Sequence, residues 1–150
     1  MAQINPTVGD LAGNRDKIID SIRRAKKLGA DLVAFPEMAV TGYPPEDLLL
    51  KPQFVKDNLR TLREIRKATP DIVAIVGFVD RQEFLSNAAA VLHKGLCRYT
   101  YHKIMLPNYG VFDEYRYFRP GHHYPLLTVR GVRIGVNICE DIWFPEGPVR

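Results

Sequence analysis

Cysteine is scarce in this chain: Cys97 and Cys139 are the only two among 150 residues. Two thiols cannot build a dense disulfide framework, and without a secretion signal both are expected to be free. Cys97 sits in an expected strand, where packing is its ordinary use. There is no Cys-x-x-Cys pair and no His-Glu-x-x-His run. The adjacent pair His122-His123 follows Pro120-Gly121 and reads as loop, where histidines face solvent more often than they bind metal, so no metal is expected. Long apolar runs are missing too; none approaches the roughly 20 residues that span a membrane. Met1-Ala2-Gln3 carries no basic leader before an apolar core. A cytoplasmic protein without a membrane partner is expected. Strong charge of one sign is also lacking. The net charge of +4 is mild, and the basic residues spread along helical faces (Arg23, Arg24, Lys26, Lys27; Arg60, Arg63, Arg66, Lys67). Solvated helix surfaces explain this better than a nucleic-acid footprint.

What is present fits one globular domain or less, with 46% apolar and 25% charged residues. Ala2 to Val8 reads as a strand broken by Pro6. Asp10, Gly13 and Asn14 offer helix-start chemistry. Ile18, Ile19, Ile22, Ala25 and Leu28 then recur at helical spacing, and Gly29 is placed to end the helix. Asp31 to Pro36 is a short, nearly all-apolar run, expected as a buried central strand. Tyr43-Pro44-Pro45 forces a loop. A second helix is expected over Gln53 to Ala68, with Val55, Leu59, Leu62 and Ile65 inward and Pro70 as its stop. Ile72 to Val79 reads as a strand. Two hairpins follow, one around Lys94-Gly95 (Asn87 to Leu92, Leu96 to Lys103) and one around Arg130-Gly131 (Leu126 to Val129, Val132 to Cys139). Between them, residues 107–125 form a long ordered loop of the kind that carries function. The order predicts an α/β fold with helices layered on a sheet. Arg150 comes soon after Cys139, with no helix left to cover the last strand, so the chain is expected to be a piece of a longer protein.

Three residues could do chemistry. Cys139 closes Val132-Arg133-Ile134-Gly135-Val136-Asn137-Ile138, where a thiol can be held rigidly at a strand end. Glu37 ends Leu32-Val33-Ala34-Phe35-Pro36, where partial desolvation would favour its use as a base. Lys103 follows Tyr101-His102. A thiol that cleaves an amide needs a base to activate it, an acid for the leaving nitrogen and a cation or N–H for the oxyanion. Glu37, Lys103 and Cys139 supply that set, and strand ends of one sheet would bring them together. Taken singly, each has an ordinary reading: a solvated loop carboxylate, an exposed lysine, a small buried hydrophobe.

The surrounding words add to this. Phe35-Pro36-Glu37, Lys103-Ile104-Met105-Leu106-Pro107 and Ile138-Cys139-Glu140-Asp141-Ile142-Trp143 resemble the three catalytic motifs of the nitrilase, or carbon–nitrogen hydrolase, superfamily. Two longer stretches, Glu37-Met38-Ala39-Val40-Thr41-Gly42-Tyr43-Pro44-Pro45-Glu46-Asp47-Leu48-Leu49 and Leu106-Pro107-Asn108-Tyr109-Gly110-Val111-Phe112-Asp113-Glu114, resemble the glutaminase domains of glutamine-dependent NAD synthetases. Arg116-Tyr117-Phe118 continues the second match.

The resemblance implies a four-layer α-β-β-α nitrilase-type sandwich, present only in part as a single partial domain over residues 1–150. It implies Glu37 as general base, Lys103 as oxyanion-stabilising residue and Cys139 as nucleophile on the carboxamide of L-glutamine. Tyr109 would contact the bound glutamine; Tyr43, Phe112 and Glu114 would line or brace the pocket. Packing of a large loop is the alternative reading of the aromatics, evenly matched for Phe112 and weaker for Tyr109, and Glu114 could cap a short helix. No cofactor is implied here. ATP and Mg2+ would serve a synthetase domain in cis, absent from these residues, which hold no Ser-Gly-Gly loop. A homo-oligomer is implied by analogy. A free-standing nitrilase-type amidase and an inactive truncated fragment remain as alternatives.

Overall fold

The computed structural model describes residues 1–145. The Pro/Gly-rich end expected after Phe144 lies largely outside them. Helix α1 (Leu11–Lys27) starts at Asp10, whose side chain accepts from the Gly13 N–H at 2.9 Å. Strand β1 (Leu32–Ala34), helix α2 (Pro52–Ile65) and strand β2 (Val73–Arg81) follow. Strands β3 (Leu85–His93) and β4 (Leu96–His102) form the first hairpin, β5 (Leu126–Val129) and β6 (Val132–Gly135) the second. Both turns fall where Lys-Gly and Arg-Gly predict them, with positive φ at Lys94, Gly95, Arg130 and Gly131.

Strands β1 to β4 make one sheet in sequence order, with β1 and β2 parallel and the rest antiparallel. Alternation then sorts the side chains. Ala74, Val76 and Phe78 of β2, with Ala88, Ala90 and Leu92 of β3, meet Ile18 and Ile22 of α1 and Leu62 and Ile65 of α2. The intervening residues face the other way. Val73, Ile75, Ala89, Val91, Tyr99 and Tyr101 meet Leu127, Val136 and Ile138 in a second core. The layers are therefore helices, sheet and second sheet, three of the four that the sandwich requires.

Several expectations need correction. Ala2 to Val8 does not form a strand. Pro6 lacks an N–H; the Ala2 N–H donates to Ala34 O at 2.9 Å, and the buried Asn14 amide holds Thr7. The apolar run at residues 31–36 forms an edge strand rather than a central one among the described residues. Leu28 is exposed, because it already lies past the last turn of α1. The second helix ends at Ile65 and tightens into a 3-10 turn, Arg66–Ala68, before Pro70. Cys97 lies on β4 but is exposed. The largest difference concerns β6, which ends at Gly135, four residues before Cys139.

Candidate active site

Glu37 sits three residues beyond β1, on a turn pressed against β2. Gly77 makes that contact possible. A Cβ there would lie 2.4 Å from Pro36 O and 2.5 Å from Met38 N, and the Val40 N–H donates to Gly77 O at 3.1 Å. Lys103 follows β4 directly and is wholly buried. Its Nζ donates to Glu37 Oε1 at 2.7 Å and to Glu114 Oε1 at 2.9 Å. Glu114 opens a short 3-10 turn (Glu114–Arg116), as the capping alternative allowed. Its side chain, however, turns inward, is 4% exposed, and also accepts from Tyr43 OH at 2.9 Å. Asn87 of β3 completes the cluster: its Nδ2 donates to Glu37 Oε1 at 2.6 Å and to Glu114 Oε2 at 3.2 Å.

Cys139 comes from the other layer. Glu37 and Lys103 belong to the four-stranded sheet, whereas Cys139 follows the β5–β6 hairpin; convergence of strand ends within one sheet is therefore not how the site is built. Cys139 opens the 3-10 turn Cys139–Ile142 and is exposed, with a φ of +44°. That region costs a residue with a Cβ roughly 1–2 kcal/mol. Asp141 over-determines the turn. This wholly buried carboxylate accepts from the Ile138 N–H (2.8 Å), the Ile104 N–H (3.0 Å), the Met105 N–H (2.8 Å) and Tyr101 OH (2.6 Å). Ile104 and Met105 directly follow Lys103, so Asp141 ties the cysteine turn to the lysine segment across the two layers.

Glu37 and Cys139 line one cavity of about 390 Å3, together with Phe35, Ile75, Gly77 and Ala89. A second cavity of about 250 Å3 reaches Glu114, Tyr43 and Arg116 but neither Glu37 nor Cys139. Glu37 and Cys139 thus share the first cavity, which brings a carboxylate and a thiol to one space. Tyr109, Phe112 and Tyr43 form an aromatic row, with centroids 5.6 Å and 6.4 Å apart. Tyr109 is largely exposed, and its OH donates to the buried Glu140 carboxylate, 3.0 Å from each oxygen.

The electrostatics assign protons. Desolvation works to lower the Lys103 pKa, but the Glu37 and Glu114 carboxylates outweigh it and hold the ammonium above its usual range. Desolvation lifts the Glu114 carboxyl above its usual range, against the pull of Lys103. Burial, then the Glu114 charge, pushes the Tyr43 hydroxyl far up, so it stays a donor. At Cys139 desolvation comes first and the Glu37 charge second; both push the thiol up, while Lys103 pulls it down. At neutral pH Cys139 is thus a thiol rather than a standing thiolate, and a proton acceptor would be needed to activate it.

The structure brings Glu37, Lys103 and Glu114 into direct contact and gathers Tyr43, Tyr109 and Phe112 beside them. Sequence reasoning missed Asn87, Tyr101 and the role of Asp141. A lone Asn before Ala88-Ala89-Ala90-Val91-Leu92 was the available signal for the first. His122 and His123 are exposed in the loop, and no group of three metal-ligating side chains occurs among the described residues.

A family model described as carbon-nitrogen hydrolase matches residues 1–150. The glutamine-dependent NAD(+) synthetase of Thermotoga maritima is 45% identical over 150 residues, which cover 99% of this chain and 26% of that protein. The solved structure of glutamine-dependent NAD+ synthetase from Acinetobacter baumannii, in complex with ADP, superposes with a TM-score of 0.87 at 42% identity, covering 95% of this chain and 27% of that one. An amidase from Nesterenkonia sp. superposes with a TM-score of 0.86 at 26% identity, covering 97% of this chain and 56% of that one. The chain spans about a quarter of the length of the synthetases it matches.

Proposed function

The chain belongs to the carbon–nitrogen hydrolase family, and on that premise we propose that it is the amino-terminal, glutamine-hydrolysing part of a glutamine-dependent NAD synthetase. The observation that carries the reading is the Glu37–Lys103 pair at 2.7 Å, its lysine wholly buried, with Glu37 sharing a cavity with the Cys139 thiol. The likeness to synthetases at 42–45% identity supports the choice of glutamine.

In the first step Glu37 takes the Cys139 proton as sulfur attacks the carboxamide carbon. The tetrahedral oxyanion that forms draws on the Lys103 charge. The C–N bond then breaks, Glu37 returns the proton to nitrogen, and ammonia leaves a glutamyl thioester. Water, deprotonated by the same carboxylate, cleaves the C–S bond to give glutamate and the free thiol. Tyr109 contacts the glutamine, and Tyr43, Phe112 and Glu114 shape the pocket and hold Lys103. The ammonia serves ATP-dependent amidation of nicotinic acid adenine dinucleotide on a synthetase domain in cis. ATP and Mg2+ act there, whereas this domain needs no cofactor. The working protein is a cytoplasmic homo-oligomer.

The test uses the full-length protein that carries this sequence. Cys139→Ala should lower ammonia release from glutamine by at least about 10³-fold, while ammonia supplied directly still supports NAD formation. Loss of both activities would place the defect outside glutamine hydrolysis. The amidase likeness favours a second reading, a free-standing amidase. Hydrolysis of simple primary amides with no turnover of glutamine would select it.

A further inference from the structure

Resting on the amide hydrolysis proposed above, we infer that Asn87 is a positioning residue: its side-chain amide fixes the two carboxylates around Lys103 and leaves Glu37 Oε2 to take the thiol proton. Asn87 is wholly buried on β3, and its backbone O accepts from the Lys103 N–H at 2.9 Å. It therefore holds the lysine backbone and shares both of the lysine's acidic partners. Its Nδ2 and the Lys103 Nζ both donate to Glu37 Oε1, at 2.6 Å and 2.7 Å. The same two donors divide Glu114, with Asn87 on Oε2 and Lys103 on Oε1. Two donors and two carboxylates thus close a ring.

The other end of the amide carries the independent observation. Asn87 Oδ1 is buried and has no hydrogen-bond partner among the described residues. Buried polar atoms are normally satisfied, so this side chain keeps its orientation at a cost. Turning the amide over would set Oδ1 against two carboxylates, which is worse. The orphaned oxygen is what remains when the donor end is held to Glu37 and Glu114. The Asn87 donor also opposes the upward push on Glu114.

The experiment takes Asn87→Asp and Asn87→Leu in the full-length protein and measures ammonia release from glutamine and from a simple primary amide. Active-site titre is read from Cys139 alkylation. Per active site, kcat should fall roughly 100-fold with KM changed by less than about 3-fold. The acid limb of kcat/KM should move to higher pH, because a donor to the carboxylates is lost. A purely structural role would lower the titre but leave kcat per site and the limb in place, and that result overturns the inference; either variant decides alone if the other does not fold. If the unsubstituted protein hydrolyses the simple amide but not glutamine, the substrate reading fails and the Asn87 comparison is still made on that amide. Hydrolysis of neither overturns both.

Discussion

The proposed acid–base half of the site and the proposed nucleophile half are built on different terms. Glu37, Lys103, Glu114 and Asn87 form a closed ring on the four-stranded sheet, buried except at the half-buried Glu37, in which each carboxylate has more than one donor. Cys139 stands exposed on a strained turn beyond the second sheet, and Asp141 anchors that turn. The difference follows from what each half must do. The proton-handling groups gain from a dry, fixed surrounding, where charge interactions are strong. In the proposed reaction the sulfur meets the substrate, which fits a turn whose backbone is constrained and whose side chain is open.

The comparison breaks most severely at its buried centre. Lys103→Leu leaves two carboxylates facing each other without their cation, and should cost about 3–5 kcal/mol in denaturant unfolding. A loss below about 1 kcal/mol would mean that the ring does not hold the core together. The tie between the halves is next. Asp141→Asn puts an amide where the Ile104, Met105 and Ile138 N–H groups need an acceptor, and should cost about 1–3 kcal/mol. It should also slow Cys139 alkylation, since the turn loses its anchor; unchanged alkylation would show the turn to be set by other contacts. Smaller still is the strain at the nucleophile. Cys139→Gly should be more stable than Cys139→Ala by about 1 kcal/mol, because glycine adopts a φ of +44° freely. Equal stability would show that the turn relaxes.

The Glu37 carboxylate helps to raise the Cys139 pKa. Glu37→Gln removes that negative charge while Lys103 still pulls the thiol down, so iodoacetamide should alkylate Cys139 at lower pH than in the unsubstituted protein. Glutamine turnover should be lost at the same time, since the proton carrier is gone. A curve that stays in place would mean that the two halves do not sense each other electrostatically.

Much of this was legible in the chain. The Lys94-Gly95 and Arg130-Gly131 turns have chemistry that only a tight hairpin uses, and α2 showed its inner face through Val55, Leu62 and Ile65. Glu37, Lys103 and Cys139 stood out through the words around them rather than through periodicity. What periodicity could not give was the layer to which each belongs. The run from Val132 to Cys139 alternates like one strand, yet pairing stops at Gly135 and the remainder crosses toward Lys103. Asn87 was hidden because a single polar residue beside an alanine run reads as a strand end. Its meaning depends on carboxylates 50 residues before it and 27 after it. Tyr101 is core, but its hydroxyl serves Asp141, a partner 40 residues away in sequence.

Gly77 carries one more consequence. It holds no catalytic group, yet the loop that bears Glu37 lies against its bare α-carbon, with Pro36 O 2.4 Å from where a methyl would stand. A glycine codon becomes an alanine codon by one base change, so a single nucleotide separates this protein from one whose base is lifted off its seat while every reacting residue remains. Drift at this position is closed off by geometry alone, and a reading of the reacting residues would never flag it.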